Sequence, residues 1–162
     1  MYSNYLGQKA FKHGDFKIAR GYFEKTLNEA KEIGNKYAES VSLCSLGLAY
    51  HHLSDFKKAI EFYQMALRIA KDTGNKYVEA GSYNGLGLAY QSLSNVKKAM
   101  EFFQLALKLI KDTGNKDGEG AIYNNLGSAY QSLSEFKKAI EFYQLALKIA
   151  KDTGNNERST RN

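Results

Sequence analysis

The stretch GSYNGLGLAYQSLSNVKKAMEFFQLALKLIKDTGN (81–115) returns forty residues later as AIYNNLGSAYQSLSEFKKAIEFYQLALKIAKDTGN (121–155), identical at 25 of 35 positions. Self-similarity at a fixed period is the mark of a repeat architecture, in which each copy is one supersecondary unit. The same frame runs through LGQKAF at Leu6, LGLAYH at Leu46, LGLAYQ at Leu86 and LGSAYQ at Leu126, and then through Phe16, Phe56, Val96 and Phe136. Four units follow, about 1–34, 35–74, 75–114 and 115–154, with a polar tail at 155–162 that is expected to be disordered.

Each unit reads as two helices. Tyr83, Leu86, Gly87, Tyr90 and Leu93 recur at i, i+3, i+4, i+7 and i+10 and share one face of a first helix, A. Val96, Ala99, Met100, Phe103, Ala106, Leu107 and Ile110 repeat that spacing over a longer second helix, B. Helix B carries a second apolar stripe, Phe102, Leu105 and Leu109, so it must be covered from two sides. Its own helix A is one cover, and helix A of the following unit is expected to cover this second stripe, propagating a continuous core. Proline is absent and glycine counts 14, which suits helices that are stopped by glycine and never broken from within. Ser54, Ser94 and Ser134 stand where N-caps of helix B are expected, each followed by Asp55, Asn95 or Glu135. Gly34, Gly74, Gly114 and Gly154 are placed to end helix B in the left-handed conformation, and Asn35, Asn75 and Asn115 to cap the next helix A.

These residues resemble the tetratricopeptide repeat: Tyr123, Leu126, Gly127 and Tyr130 in helix A, then Ala139, Tyr143 and Ala146 in helix B, with counterparts in every unit. The usual proline after helix B is missing, and the period is 40 where the common repeat has about 34. That longer form is similar to the repeats of LGN/Pins scaffolds and kinesin light chain, in which IAKDTGN has close relatives. The resemblance implies an all-α, right-handed superhelical solenoid of four antiparallel helix-turn-helix repeats. Its concave groove, lined by helix A, would hold an extended or helical peptide of a partner protein. The charged readers of those relatives are not carried over. An arginine near the start of helix A is replaced by Val41, Gly81 and Ala121, and the positions of a carboxylate clamp hold Asn4, Gln8, Cys44, Leu48, Asn84, Leu88, Asn124 and Ser128. No clamp for a C-terminal carboxylate is expected.

Opposite the core face of helix A, a stripe reads Val41, Cys44, Leu48, His51 in the second unit, Gly81, Asn84, Leu88, Gln91 in the third and Ala121, Asn124, Ser128, Gln131 in the fourth. With Asn4, Gln8 and Asn125 these are the candidate groove residues. Small, neutral and amide-bearing side chains suit main-chain hydrogen bonding and apolar anchors. The plainer alternative is a set of solvated helix positions. Gly81 and Gly85 inside helix A each cost about 1 kcal/mol relative to alanine. Either a partner's backbone or a tight contact with the neighbouring hairpin would offset that.

Chemistry is sparse. His51 and His52 are adjacent and diverge on a helix, and Cys44 with His51 makes only two ligands, so no metal site is expected. Carboxylates such as Glu61, Glu101 and Glu141 fall at a shared repeat position, with Lys57 to Glu61 at an i, i+4 surface spacing. No nucleophile–base arrangement or phosphate loop recurs, so neither catalysis nor a cofactor is expected. The net charge of +6 is spread evenly, with one or two positive charges per unit, and aromatic residues sit on the core face. RNA reading by Asn84, Asn124 and Asn125 is therefore the weaker alternative to protein binding. Cys44 is the single cysteine, which points to a cytoplasmic chain, and no apolar run approaches the ~18 residues of a membrane span. A third expectation concerns the ends: Phe142, Leu145 and Ile149 on the last helix B have no following helix A, so the chain is expected to stack end to end with copies of itself or to belong to a longer array.

Overall fold

A computed structural model describes residues 2–159. Among them are eight α-helices and no strand: α1 (Tyr2–Lys12), α2 (Phe16–Glu32), α3 (Lys36–His52), α4 (Phe56–Thr73), α5 (Lys76–Ser92), α6 (Val96–Thr113), α7 (Lys116–Ser132) and α8 (Phe136–Ser159). Odd-numbered helices are helix A of each unit and even-numbered ones helix B. Every helix packs on the next in chain order, and α3 also touches α5 as α5 touches α7. The result is an all-α helical-repeat solenoid. None of its helices is long and apolar enough to cross a membrane.

The Leu-Gly step explains how closely the two helices of a unit approach. A Cβ on Gly7, Gly47, Gly87 or Gly127 would stand 2.6, 2.8, 2.4 and 2.7 Å from the ring of Phe23, Tyr63, Phe103 and Tyr143 respectively. Each glycine is thus the slot into which the central aromatic of helix B fits. Around it Leu43, Leu46, Leu86, Leu126 and the alanines Ala19, Ala59 and Ala99 are buried in one continuous core, and Ala139 is buried at the matching place of the fourth unit. The asparagine caps stand where the sequence places them: Asn35, Asn75 and Asn115 accept from the amides of Ala38, Val78 and Gly118 at 3.0, 3.1 and 3.0 Å.

Three expectations are corrected. First, Ser54, Ser94 and Ser134 are not N-caps. They sit at φ 61, 61 and 60°, the left-handed position that ends helix A, where the first unit has Gly14 at φ 82°. Each closes a Schellman turn: the Ser54 amide donates to the His51 carbonyl and the Asp55 amide to the Tyr50 carbonyl, at 3.0 and 2.9 Å. The capping of helix B passes to the next residue, with Asp55 and Asn95 accepting from the amides of Lys58 and Lys98.

Second, the two stripes of helix B exchange roles. Phe62 stacks on Tyr50, Phe102 on Tyr83 and Tyr90, and Phe142 on Tyr130, so the second stripe belongs to the unit's own helix A. Phe142 and Ile149 are accordingly half-buried against the core, and Leu145 is exposed no more than its counterpart Leu105 inside the array. The stripe given to the following unit is Val96, Met100 and Leu107, each half-buried against the core. Its counterparts on α8, Phe136, Ile140 and Leu147, are 59, 54 and 55% exposed.

Third, α8 does not stop at Gly154. Positive φ among the glycines is confined to Gly14, Gly34, Gly74 and Gly114, and the helix runs on to Ser159. Residues 155–159 of the expected tail therefore continue the helix, and 160–162 lie outside the described residues. The Lys57–Glu61 spacing forms no ion pair either. Ion pairs among the described residues include Lys36–Glu39, Lys116–Glu119 and Lys138–Glu135 at i, i+3, with Arg20–Glu24 and Lys76–Asp112.

Candidate functional site

Contacts of α3 with α5 and of α5 with α7 align these A helices along one wall of the array. Three cavities follow that wall and share residues. The first, about 430 Å³, is lined by Asn4, Tyr5, Gln8, Lys9 and Lys12 of α1. Gln8 and Lys12 also line the second, about 160 Å³, which reaches Ser45 and Leu48 of α3. Ser45 and Leu48 in turn open the third, about 370 Å³, between α3 and α5, walled by Val41, Cys44, Asn84 and Leu88. The three form one trough that crosses the first three units.

Its floor under the third cavity is Tyr63 of α4, a residue only 4% exposed. The ring lies between Gly47 of its own unit and Gly85 of the next. A Cβ on Gly85 would stand 2.4 Å from both Cε1 and Cζ, so a tight contact with the neighbouring hairpin accounts for that glycine. Gly81, by contrast, faces open space within the same cavity. Burial pushes the Tyr63 phenol up, with Cys44 adding to the shift, and burial pushes the Cys44 thiol up as well. The floor is uncharged at neutral pH. The Cys44 sulfur is 3.3 Å from the Ser82 hydroxyl, whose own proton is directed to the Val78 carbonyl at 2.7 Å, so the thiol is the donor. The Tyr63 hydroxyl has no hydrogen-bond partner among the described residues.

Of the residues singled out from sequence, Asn4, Gln8, Cys44, Leu48, Asn84 and Leu88 line this trough. The others do different work. Asn125 Nδ2 donates to Asn84 Oδ1 at 2.8 Å and Gln91 Nε2 to the Ser128 hydroxyl at 3.0 Å, tying α5 to α7. His51 Nε2 lies 3.0 Å from the Ser92 hydroxyl, tying α3 to α5. Gln131 Oε1 accepts from the Tyr143 hydroxyl within the fourth unit, and Asn124 is exposed and lines none of the three cavities. Asn84 thus spends its carbonyl on the neighbouring repeat and keeps its two N–H groups. Burial, followed by the charge of His52, lowers the His51 imidazole below its ordinary value, while a hydrogen bond to the Leu88 backbone opposes the shift.

Lys9, Lys12, Tyr63 and Tyr77 line the trough without having been singled out. The lysines had a visible signal: they break the repeat, standing where later units have Ala49, Ala89 and Ala129, or His52, Ser92 and Ser132. Tyr63 also had one, since Phe23 and Phe103 hold its place in the neighbouring units and only here does the following helix A offer glycine, Gly85.

Comparison with known proteins agrees with this architecture. A structure of BtubC from P. vanneervenii superposes with a TM-score of 0.77 over 91% of this chain and 60% of that one, at 25% identity. A Rap protein complexed with Competence and Sporulation Factor gives a TM-score of 0.85 over 93% of this chain and 42% of that one, at 16% identity. A Podosopora anserina putative kinesin light chain with nearly identical TPR-like repeats gives 0.70 over 94% and 75%, at 18% identity. The chain therefore spans less than two thirds of the BtubC and Rap structures it resembles. No curated protein matches it in sequence. The family model for the tetratricopeptide repeat matches residues 1–72 and 78–152. With the Leu-Gly slot, the paired helices and the inner trough, that match assigns the chain to the tetratricopeptide repeat family.

Proposed function

We propose that this chain is a non-catalytic protein-interaction scaffold that holds a peptide segment of a partner protein in the trough along its A helices. One observation carries the reading: three cavities joined through Gln8, Lys12, Ser45 and Leu48 make a continuous path across three units, with apolar walls and unspent polar groups at Asn84 and Tyr63. Such a surface binds by main-chain hydrogen bonds and side-chain anchors. The fold likeness to a Rap protein complexed with a factor supports a ligand-holding role. We take the single, partly buried free cysteine and the absence of any membrane-crossing helix among the described residues as support for a cytoplasmic setting, with the array of residues 1–154 acting as one unit.

The test is affinity capture with the wild-type chain and with Leu48→Arg/Leu88→Arg, both checked for helicity and melting temperature. Loss of the captured partners from a folded double variant supports the trough. An unchanged set of partners sinks it.

A second reading is favoured by the exposed α8 stripe. Phe136, Ile140 and Leu147 repeat the surface that every earlier helix B gives to a following helix A, and we propose that a second copy docks there. Sedimentation over a concentration range, with Ile140→Asp/Leu147→Asp alongside, decides it: a monomer at every concentration ends the idea.

A further inference from the structure

Charge is distributed very unevenly inside the trough. Among the described residues lining its three cavities, Lys9 and Lys12 are the only charged ones, and none is a carboxylate. Both lysines are exposed, one helical turn apart on α1, and neither is held in an ion pair with another described residue. Elsewhere in the array the lysines beside helix A are committed: Lys36 to Glu39 at 2.7 Å, Lys116 to Glu119 at 2.8 Å, Lys71 over the Tyr83 ring and Lys111 over the Tyr123 ring. At the other end of the trough, Leu48, Leu88 and Val41 surround a hollow whose floor is the unpaired Tyr63 phenol, left open where Gly81 carries no side chain.

Resting on the binding role proposed above, we infer that the trough reads polarity in its peptide: an acidic residue pair lies over Lys9 and Lys12 while an aliphatic or aromatic side chain fills the Leu48–Tyr63–Leu88 hollow. The two ends ask for different chemistry. Two uncommitted ammonium groups with no competing carboxylate favour anions, chiefly through the rate and salt dependence of association. The hollow favours a desolvated apolar anchor, the feature that carries most of the energy in such contacts. A nucleic acid would meet the lysines but would place phosphates against Leu48 and Leu88, so an acidic-and-apolar peptide is the occupant that matches both ends.

The test uses the full chain and a panel of fluorescent twelve-residue peptides, each able to span about 40 Å when extended. An Asp-Asp pair and one Leu or Phe are stepped from two to seven residues apart in both orders, with Lys-Lys and Ser replacements as controls. A twelve-nucleotide single-stranded RNA is included. Anisotropy is read at 50 and 300 mM salt. The expected result is one preferred spacing and order, roughly tenfold tighter than the Lys-Lys control at low salt, with preference inverted by Lys9→Glu/Lys12→Glu. Melting curves confirm that this exposed pair of substitutions leaves the fold intact. Equal binding of Asp-Asp and Lys-Lys peptides overturns the inference, and if Leu88→Arg still abolishes that binding the trough itself survives. RNA binding more tightly than every peptide also overturns it. A wild-type chain that binds no peptide overturns it too; whether the trough falls with it is then read from capture by Leu48→Arg/Leu88→Arg.

Discussion

Replacing Ser54, Ser94 and Ser134 together by glycine should stabilise the array. Each serine is fixed at φ 60–61° by the two amide bonds of its Schellman turn, and each is exposed, so its hydroxyl contributes no buried contact. A left-handed backbone costs a residue with a Cβ roughly 1–2 kcal/mol, because Cβ crowds the following carbonyl oxygen. Glycine avoids that crowding but loses more freedom on folding, returning about 0.5–1 kcal/mol of the gain. The net is ~0–1.5 kcal/mol per site, about 0.75 at the midpoint, and the three sites lie in separate units with no shared partner, so the midpoints add to about 2 kcal/mol. For a chain of this size that corresponds to a rise of roughly 4–8 °C in melting temperature, read by circular dichroism at 222 nm. Gly14, at φ 82° in the same place of the first unit, supplies the reverse experiment: Gly14→Ser should lower the melting temperature by a few degrees. A triple variant that melts no higher than wild type would refute the assignment of these serines as strained helix ends. It would restore the alternative in which serine is preferred there as a cap.

Two glycines of one helix should respond oppositely to alanine: Gly81 meets nothing within 4 Å, so Gly81→Ala gains up to ~1 kcal/mol of helix propensity, whereas Gly87→Ala drives a Cβ to 2.4 Å from the fully buried Phe103 and loses about 1–3 kcal/mol, as urea melts will show. Tyr63→Phe should leave stability within about 0.5 kcal/mol, since the phenol has no partner and Phe23 and Phe103 fill the same place, yet weaken ligands of the hollow; an equal loss in both would make the hydroxyl structural. Because burial and His52 lower the His51 pKa, folding favours the neutral ring, so its contribution is complete above about 6.5 and is lost as pH falls through the lower folded value. The melting temperature should therefore drop between pH 6.5 and 5, and His51→Gln should flatten that limb; an unaltered limb would exclude His51 as its source.

The helical pairs, the Leu-Gly slot and the asparagine caps are legible in the sequence because each depends on contacts within one unit, which the forty-residue period repeats in full view. What escaped depends on contacts between units. Both stripes of helix B are apolar and recur at helical spacing, so periodicity alone does not say which one a unit keeps. Only on α8, where Phe136, Ile140 and Leu147 are exposed while Phe142 stays stacked on Tyr130, do the two separate. The serines misled for another reason. Serine is a good N-cap, but so are the Asp55 and Asn95 beside it, and residue preference does not resolve a shift of one position. Alignment of Gly14 with Ser54 was the clue that a left-handed residue was needed there. Along helix A the sequence names positions but not what their side chains bond to. Asn125 and Gln91 look like free amides until the neighbouring helix brings Asn84 and Ser128 within reach.

The same contact that joins the second unit to the third also makes the floor of the trough. Tyr63 fits its ring between Gly47 and Gly85, and a Cβ on either would collide with it. The seam and the site therefore cannot be varied independently. A larger residue at Gly85 fills the slot the ring needs, tilting Tyr63 and with it the wall formed by Leu48 and Leu88. At the following seam Asn125 replaces that glycine and spends its amide on Asn84, so the wall there is closed by a polar bond. A ligand anchored on Tyr63 accordingly presses on α3, α4 and α5 together and should raise the stability of that seam before any other, through the mass action of binding to the folded state.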